Sequence, residues 1–393
     1  MASPIARIDF SFPGGLQPSS SAREPSIQES SPRRRVAKFN LSRDFSGVFR
    51  FIGVHLSLER QTSTASAGDE NVVPHDGRPG QTRVLLAATM RNEGPYILEW
   101  VAYHLATGFT DIVICTNDCV DGSPALLDRL QELGVITHLV NKVGPRDKAQ
   151  LAAYARIEKL PVLREVDWAM VLDADEFLNI HVGNGTISDL IEAAPQATAF
   201  LINWRIFGNS GRIEWQPGLV TERFNKAARL HDPVNRSFKT LFTKLDAYHC
   251  RLLPHQPRYP QPARLSELCY VNGAGIVLPR YFCDESRADF LQSEPDQVSW
   301  KLAQVNHYNT RSWEDYLVKH HRGGGLDIPW ERNVSWAAFN KNDETDLTIF
   351  RKRAATKVSL EVLFEDDELR RRHQRCCDLY REHIAALKQP LPA

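Results

Sequence analysis

The chain has 393 residues, of which 42% are hydrophobic and 24% charged, a composition that fits a globular protein with one large domain or two smaller ones. Lysine plus arginine and aspartate plus glutamate each total 48, so the formal net charge is zero, which argues against a nucleic-acid binder held by phosphate contacts. No stretch reaches the roughly 20 apolar residues of a membrane-spanning helix, and no signal-peptide core follows the N-terminus. The seven cysteines lack CxxC spacing, so we expect neither a disulfide framework nor a zinc site, and a cytoplasmic location.

The N-terminal segment, residues 1–82, is predicted to be a flexible extension because it is rich in serine, proline and arginine and offers little apolar surface to bury. Alternating apolar residues within 45–60 predict a strand pair. The basic run Arg33–Arg35 leaves peripheral association with the cytoplasmic membrane open. We expect two further regions, a folded domain over 83–325 and a helical region over 326–393.

From residue 83 onward, short apolar runs alternate with segments of helical periodicity. The pattern predicts strands at 83–90, 111–116, 135–140, 167–173 and 197–204, separated by helices that begin near Pro95, Ser123, residue 148 and Thr186. Such alternation implies right-handed βαβ units, hence an α/β fold with a mostly parallel central sheet flanked by helices. Because ligands bind at the carboxyl ends of parallel strands, the residues that follow the first four strands should share one crevice.

The sharpest motif is LDADEF at 172–177, where Asp173 and Asp175 follow an apolar strand. Two carboxylates separated by one residue at a strand exit can ligate Mg²⁺ or Mn²⁺ through oxygen, and a pyrophosphate can complete the metal shell. An Asp-x-Asp sequence also occurs by chance about once in a chain of this size, and two aspartates that cap the next helix are the alternative. The position at the end of a buried strand favours the metal or diphosphate site.

Polar segments also follow the first and second strands. Arg91 and Glu93 precede a helix whose free N–H groups favour an anion, although Asn92 and Glu93 could simply cap that helix. In CTNDCVDGSP, Asn117 and Asp121 could accept hydrogen bonds from a ribose or a base. Turns of ordinary kind use the same residue types, so both interpretations stay open.

The fourth feature is the segment QVNHYNTRSWEDYLVKHHRGGG at 304–325. A neutral imidazole at His307 can ligate Mn²⁺ beside carboxylates. Arg311 and Lys319 could neutralise a leaving diphosphate. The alternative is a structural histidine next to a solvated basic helix.

Several nucleotide and hydrolase motifs do not occur in the sequence. There is no GxxxxGK[ST] loop and no GxGxxG after the first strand, which disfavours an ATPase, a GTPase and a dinucleotide enzyme. GxSxG and HExxH are also missing.

The order of the four features resembles glycosyltransferase family 2, in particular its bacterial branch with a strand–[KR]NE–helix opening. The resemblance runs from about Arg83 to Gly325 and is carried by ATMRNEGPYILEWVAYHLATGF, TNDCVDGS, LDADEF, NWRIFGNSG and NHYNTRS. It implies the GT-A fold, in which one Rossmann-like nucleotide-binding α/β domain carries an acceptor-side region after the Asp-x-Asp. A C-terminal helical extension would follow this domain.

The resemblance also implies roles for individual residues. By resemblance, Thr89, Arg91, Glu93, Asn117 and Asp121 would border the nucleotide. Asp173 and Asp175 would hold the metal and the diphosphate, and His307 would complete the metal shell. Thr116 stands where family members often carry aspartate, so the contact with the base departs from the family pattern.

The implied activity is that of a hexosyltransferase-like enzyme that depends on Mn²⁺ or Mg²⁺. It would move a sugar from a nucleotide-diphosphate sugar to the hydroxyl group of a glycan, a lipid or another acceptor, as in polysaccharide biosynthesis. A UDP-sugar is the first candidate for the donor. Inversion requires a carboxylate base, for which Glu222 is the leading candidate and Glu214 and Asp232 are the others. A nucleotidyltransferase that makes nucleotide sugars and a non-catalytic carbohydrate- or partner-binding protein are the alternatives.

Overall fold

A computed structural model describes residues 82–144, 148–279, 291–322 and 336–388 of the protein. The predicted strand pair at 45–60, the basic run Arg33–Arg35 and the predicted domain boundary at 325 lie outside the described residues. The described strands are β1 Val84–Met90, β2 Asp111–Thr116, β3 Thr137–Val140, β4 Trp168–Val171, β5 Glu176–Ile180, β6 Ala199–Ile206, β7 Lys226–Ala227, β8 Phe238–Phe242, β9 Tyr248–Cys250, β10 Arg258–Pro260, β11 Tyr270–Asn272, β12 Ala303–His307 and β13 Glu344–Thr345.

Nine of these strands form a central sheet in the order β3-β2-β1-β4-β8-β6-β12-β5, with β11 paired to β6, and β9 with β10 and β7 with β13 form two small sheets. The first four positions, β3-β2-β1-β4, are all parallel. Met90 lies opposite Thr116 and Thr116 lies opposite Val140, so these strands end at the same edge. Strand β4 also runs parallel to β1, with Val171 opposite Ala87, so the four strands end at one edge of the sheet, and the shared crevice beyond them stays a prediction.

The other half of the sheet is mixed, so the expectation of a mostly parallel sheet is only partly met. Strand β8 runs antiparallel to both β4 and β6, and β12 runs antiparallel to β5. The strand predicted over 167–173 ends at Val171, and the buried strand β5 starts at Glu176. Since only four residues separate β4 from β5, the chain has no room there for a helical crossover to a parallel neighbour.

Helices cover both faces of the sheet. They are α1 Ile97–Thr107, α2 Ser123–Glu132, α3 Ala149–Ile157, α4 Ile187–Ala193, α5 Val220–Arg223, α6 Trp313–Arg322, α7 Trp336–Phe339, α8 Arg353–Leu363 and α9 Asp367–Leu387. The helix predicted to begin near residue 148 spans Ala149–Ile157, and a separate 3₁₀ turn begins at Pro161, because proline cannot continue a helical hydrogen-bond ladder. Helix α1 ends at Gly108, whose φ of 109° suits glycine.

Two hydrophobic cores lie on opposite faces of the sheet. Leu86 and Ala88 of β1 belong to one core, while Leu85 and Ala87 belong to the other. Successive side chains of a strand point to opposite faces, so a strand that is covered on both sides must be apolar throughout. The unbroken apolar run of β1 follows from this arrangement.

The C-terminal helices pack onto the first core. Helix α8 lies against α1, and α9 lies against α2, α6 and the 3₁₀ turn Gly94–Tyr96 that precedes α1. The side chain of Asp366 accepts a hydrogen bond from the Leu369 N–H and so caps the start of α9. Among the described residues, no helix is both long enough and apolar enough to cross a bilayer.

Candidate functional site

The turn between β4 and β5 places Asp173 and Asp175 at the carboxyl edge of the sheet. The Asp173 N–H donates to Glu176 Oε2 at 2.8 Å, and the Glu176 N–H donates to the Asp173 carbonyl at 3.0 Å. From α1, the Trp100 indole donates to the carbonyls of Asp173 and Glu176 at 3.1 and 3.0 Å. The turn is therefore held by its own hydrogen bonds and by a buried tryptophan of α1.

Asp173 is bound to a lysine that the sequence analysis did not single out. Lys239, the second residue of β8, forms ion pairs of 2.9 Å with Asp173 Oδ2 and with Glu176 Oε2. Burial alone would lower the pKa of Lys239, but Asp173 and Glu176 together raise it above its usual value. The other Asp173 oxygen accepts a hydrogen bond from Gln150 at 3.1 Å. The sequence signal for this contact is a charged residue inside a strand that is buried throughout.

Asp175 lies between a histidine and a lysine from the distant NHYNTRS segment. Its Oδ2 is 2.5 Å from Lys319 Nζ and 3.6 Å from His307 Nε2. Burial would raise the pKa of Asp175, but the charge of Lys319 and then the interaction with His307 hold it well below its usual value. The contact arises because β12 pairs with β5 and sets His307 opposite Glu176.

Asn309 completes the surroundings of the Lys319 ammonium. Lys319 Nζ donates to both the carbonyl and the side-chain oxygen of Asn309, each at 3.2 Å. Asn309 follows β12 by two residues and is buried. Asn309 was not predicted as a site residue, although its position two residues after His307 was a usable signal.

Glu93 links the turn after β1 to helix α6. Arg311 Nη1 donates to Glu93 Oε2 at 3.0 Å, and Arg322 binds the other carboxylate oxygen. The Arg311 guanidinium also stacks on the Tyr96 ring at 3.7 Å from its centroid. Burial would raise the pKa of Glu93, but the charges of Arg322 and Arg311 lower it. Both oxygens of the predicted nucleotide contact are thus occupied by arginines.

Eight charged side chains therefore meet in one region, which we call the charge cluster: Glu93, Asp173, Asp175, Glu176, Lys239, Arg311, Lys319 and Arg322. Each carboxylate in it forms an ion pair with at least one of the cations. A small pocket borders the cluster, and Glu93, Asn309, Lys319 and Tyr380 contribute to its walls.

The remaining predicted nucleotide contacts fall into two groups: side chains that solvent can reach, and one side chain that is already hydrogen-bonded within the protein. Arg91 is exposed, and Thr89 and Asn117 are half-buried near the ends of β1 and β2. Asp121, by contrast, accepts hydrogen bonds from the Gly94 N–H at 2.7 Å and from the Ser123 hydroxyl at 2.5 Å. Asp121 thus ties the loop after β2 to the turn after β1, which is the turn chemistry considered as its alternative.

The predicted catalytic base, Glu222, does not join the charge cluster. Its carboxylate is paired with Arg353 at 2.5 Å and with Lys357 at 2.9 Å, and although burial would raise its pKa, these cations of α8 lower it. A carboxylate with a lowered pKa is a weak base. Of the other two candidates, Glu214 is exposed and Asp232 is paired with Lys341 at 2.8 Å.

The predicted metal trio of Asp173, Asp175 and His307 is not assembled. Within the described residues, no group of three or more histidine, cysteine, aspartate and glutamate side chains is arranged to hold a metal ion. The reason is local, since Asp173 binds Lys239 and Gln150 while Asp175 lies near His307 and Lys319. Of the predicted trio, Asp175 and His307 lie close together, with 3.6 Å between Asp175 Oδ2 and His307 Nε2.

The fold and the site together define an α/β protein with a mixed sheet and a buried, paired charge cluster at the carboxyl edge of that sheet. No protein-family profile matches the chain. A curated glycosyltransferase family 92 protein of Oryza sativa subsp. japonica is 27% identical over 128 residues, which cover 32% of this chain and 21% of the relative. The match thus spans about a fifth of the rice protein.

Solved structures give weaker similarities. Residues 1–349 of TarS from S. aureus match 78% of this chain and 83% of that chain, at 12% identity and a TM-score of 0.28. The mannosyltransferase PcManGT from Pyrobaculum calidifontis, solved with GDP-Man and Mn²⁺, matches 40% of this chain and 44% of that chain, at 16% identity and a TM-score of 0.24. TM-scores this low carry no argument about this chain.

Proposed function

We propose that the protein is a glycosyltransferase that moves a sugar, by inversion, from a nucleotide-diphosphate sugar to a hydroxyl of a glycan or lipid-linked acceptor. The observation that carries the proposal is the meeting of Asp175 with His307 and Lys319 at the carboxyl edge of the sheet. Ligands of open α/β sheets bind at this edge. The similarity to part of a glycosyltransferase family 92 protein supports the same activity.

The donor would lie in the crevice beyond β1 and β2. There Thr89 and Asn117 retain accessible surface to contact the nucleoside, and the exposed Arg91 can reach a phosphate. Lys319, whose side chain is 34% exposed, is the cation of the charge cluster closest to solvent. We expect UDP to be the nucleotide, with GDP as the next candidate.

Mn²⁺ or Mg²⁺ fits the residues around Asp175. A cation, the Lys319 ammonium, already lies among the carboxylate oxygen of Asp175 and two oxygens of Asn309, and His307 is adjacent. Oxygen ligands with one imidazole suit Mn²⁺, and all-oxygen surroundings suit Mg²⁺. Bound there, the metal would supply positive charge that stabilises the leaving nucleoside diphosphate.

The electrostatics of the charge cluster support joint binding of the metal and the diphosphate. The four carboxylates and four cations cancel in formal charge, so a diphosphate that entered alone would bring uncompensated negative charge into a buried region. A divalent cation that entered alone would bring uncompensated positive charge into the same region. The diphosphate of a nucleotide sugar carries two negative charges, so a divalent cation that binds with it keeps the region neutral.

The test is a calorimetric titration of UDP into the protein with and without Mn²⁺, for the wild type and for Asp175→Ala. We expect Mn²⁺-dependent binding, weakened at least about tenfold by Asp175→Ala because a metal ligand is lost. Asp246→Ala is the matched control, since this aspartate is also ion-paired but exposed, and it should bind like the wild type. Absence of binding by UDP, GDP and other nucleotides with any divalent metal would refute the proposal.

A turnover assay separates the proposed activity from its two alternatives. Slow hydrolysis of a UDP-sugar to UDP and free sugar, dependent on Mn²⁺, is the expected result for a glycosyltransferase without its acceptor. Release of pyrophosphate would indicate a nucleotidyltransferase instead. Nucleotide binding without turnover of any donor would indicate a binding protein.

A further inference from the structure

The ammonium of Lys319 sits in a small shell of oxygens that has the chemistry of a metal site. Its three oxygen neighbours are Asp175 Oδ2 at 2.5 Å and the two oxygens of Asn309 at 3.2 Å. A carboxylate, an amide oxygen and a main-chain carbonyl are the ligand types that hard divalent cations take from proteins. Asp175 and Asn309 are both buried, so these oxygens have little access to bulk water.

A buried histidine with an unused nitrogen borders the same shell. His307 is 5% exposed, and its Nε2 lies 3.6 Å from the Asp175 oxygen that binds Lys319, which is too long for a hydrogen bond. Its Nδ1 is buried and has no hydrogen-bond partner among the described residues. The partnerless Nδ1 costs free energy by its burial, and Nε2, the nitrogen that faces Asp175, is the one that a cation beside this carboxylate would bind.

We propose that Lys319 holds the place of the divalent cation before the donor binds, and that the cation site consists of Asp175, His307 and Asn309, without Asp173. This inference rests on the metal use proposed above and assigns that use to particular residues. When the donor and the metal arrive, the ammonium leaves the oxygens and pairs with the diphosphate. Lys319 then serves in both states, first as a counter-ion of Asp175 and then as a counter-ion of the donor.

The two lysines of the charge cluster differ in whether they can move. The Lys239 side chain is 1% exposed and holds two carboxylates at once, so its departure would leave the buried Glu176 unpaired. The Lys319 side chain is 34% exposed and extends from the last turn of α6. Lys319 can therefore be displaced from its carboxylate by a metal ion, whereas Lys239 cannot. Because Lys239 stays bound to Asp173, we place Asp173 outside the proposed cation site.

The proposal predicts that Lys319 competes with the metal when no nucleotide is present. Mn²⁺ binding to the whole protein is measured by electron paramagnetic resonance, without nucleotide, for the wild type, Lys319→Met and Lys319→Arg. We expect Lys319→Met to bind Mn²⁺ about tenfold or more tightly than the wild type, because a positive charge next to the ligands is removed. Lys319→Arg keeps that charge and should bind no better than the wild type. Lys341→Met, which also removes an ion-paired lysine, is the matched control and should not change the affinity.

The ligands are then mapped in the Lys319→Met background. Adding Asn309→Ala or His307→Ala should abolish the gain in Mn²⁺ affinity, whereas adding Asp173→Asn should leave it. Thermal unfolding identifies any variant that fails to fold, and Lys319→Gln replaces Lys319→Met in that case. Equal Mn²⁺ affinity of the wild type and the Lys319 variants would overturn the proposal, and so would a gain that survives Asn309→Ala but not Asp173→Asn.

This measurement contains no nucleotide and no sugar, so it fails independently of the proposed function. Tight Mn²⁺ binding by Lys319→Met together with no nucleotide binding by the wild type would sustain the cation site and refute the glycosyltransferase. Mn²⁺-dependent UDP binding by the wild type together with unchanged Mn²⁺ affinity in Lys319→Met would refute the cation site and leave the glycosyltransferase proposal standing.

Discussion

At the scale of single residues, the charge cluster shows how buried charges are stabilised by partners of opposite charge. Glu93 binds two arginines, and Lys239 binds two carboxylates. Burial of a lone charge is costly, and breaking a buried pair leaves such a charge behind. The cluster is therefore expected to tolerate loss of a partner poorly, whatever reaction it supports.

Replacing Glu93 tests this expectation through the pH dependence of stability. Since the folded protein lowers the pKa of Glu93, its contribution is fully present above the usual value of 4.5 and is lost as the pH falls below it. At pH 7 we expect Glu93→Gln to lower the free energy of unfolding by about 3 kcal/mol, because two buried arginines lose their counter-ion. Urea unfolding of the wild type and the variant from pH 7 down to pH 4 should show this difference shrink.

The control for that series is Glu132→Gln, which removes an exposed partner of Arg129. An exposed ion pair contributes little, so this variant should follow the wild type at every pH. A Glu93→Gln difference that is constant or grows towards acid pH would contradict the assigned ion pairs.

At the scale of elements, the C-terminal helix α9 supports the helix that carries Lys319. The hydroxyls of Tyr380, in α9, and of Tyr96 both donate to Asp315 Oδ1, in the Tyr380 case at 2.9 Å. Asp315 and Ser312 in turn bind each other at the start of α6. Helix α9 is thus connected through Asp315 to the element that positions the cations of the site.

Tyr380→Phe removes only the hydroxyl of this connection. We expect a loss of about 1 kcal/mol in the free energy of unfolding, the usual contribution of one hydrogen bond, and weaker UDP binding in the presence of Mn²⁺. Tyr380 acts as a positioning residue, so UDP affinity should fall while the chain stays folded. Tyr259→Phe, at an exposed tyrosine, is the control for both measurements. Unchanged UDP affinity in Tyr380→Phe would contradict the claim that α9 positions the cations of the site.

At the scale of the whole molecule, the central sheet separates two hydrophobic cores, and the strands with both faces covered connect them. Neighbouring residues of β1 contribute to different cores, Leu85 to one and Leu86 to the other. Both side chains are fully buried. The stability of the domain should therefore depend on both faces.

Leu85→Ala and Leu86→Ala test the two faces separately. Each is expected to lower the free energy of unfolding by about 2–5 kcal/mol, since each leaves a cavity in a packed core. Val140→Ala, at a largely exposed position at the end of β3, should change it by less than about 0.5 kcal/mol. Urea unfolding measures all three, and a leucine variant as stable as Val140→Ala would show that one face is not a packed core.

Local sequence patterns were sufficient for the parallel half of the sheet. The strands Val84–Met90 and Asp111–Thr116 and the helix that ends before Gly108 follow from apolar runs, helical spacing and a glycine stop. These signals act between residues close together in the chain. The shared edge of the first four strands also follows, because βαβ connections have one hand.

Long-range pairing decided the rest. Lys319 and Asp175 are 144 residues apart in the sequence and meet only because β12 pairs with β5 on one side and β6 on the other. The same pairing gives Asp175, and not Asp173, the histidine, while β8 gives Asp173 its lysine. Strand partners depend on burial across the whole sheet rather than on local propensity. The sequence by itself thus determined which residue types could form a site, and the tertiary structure decided which of them are neighbours.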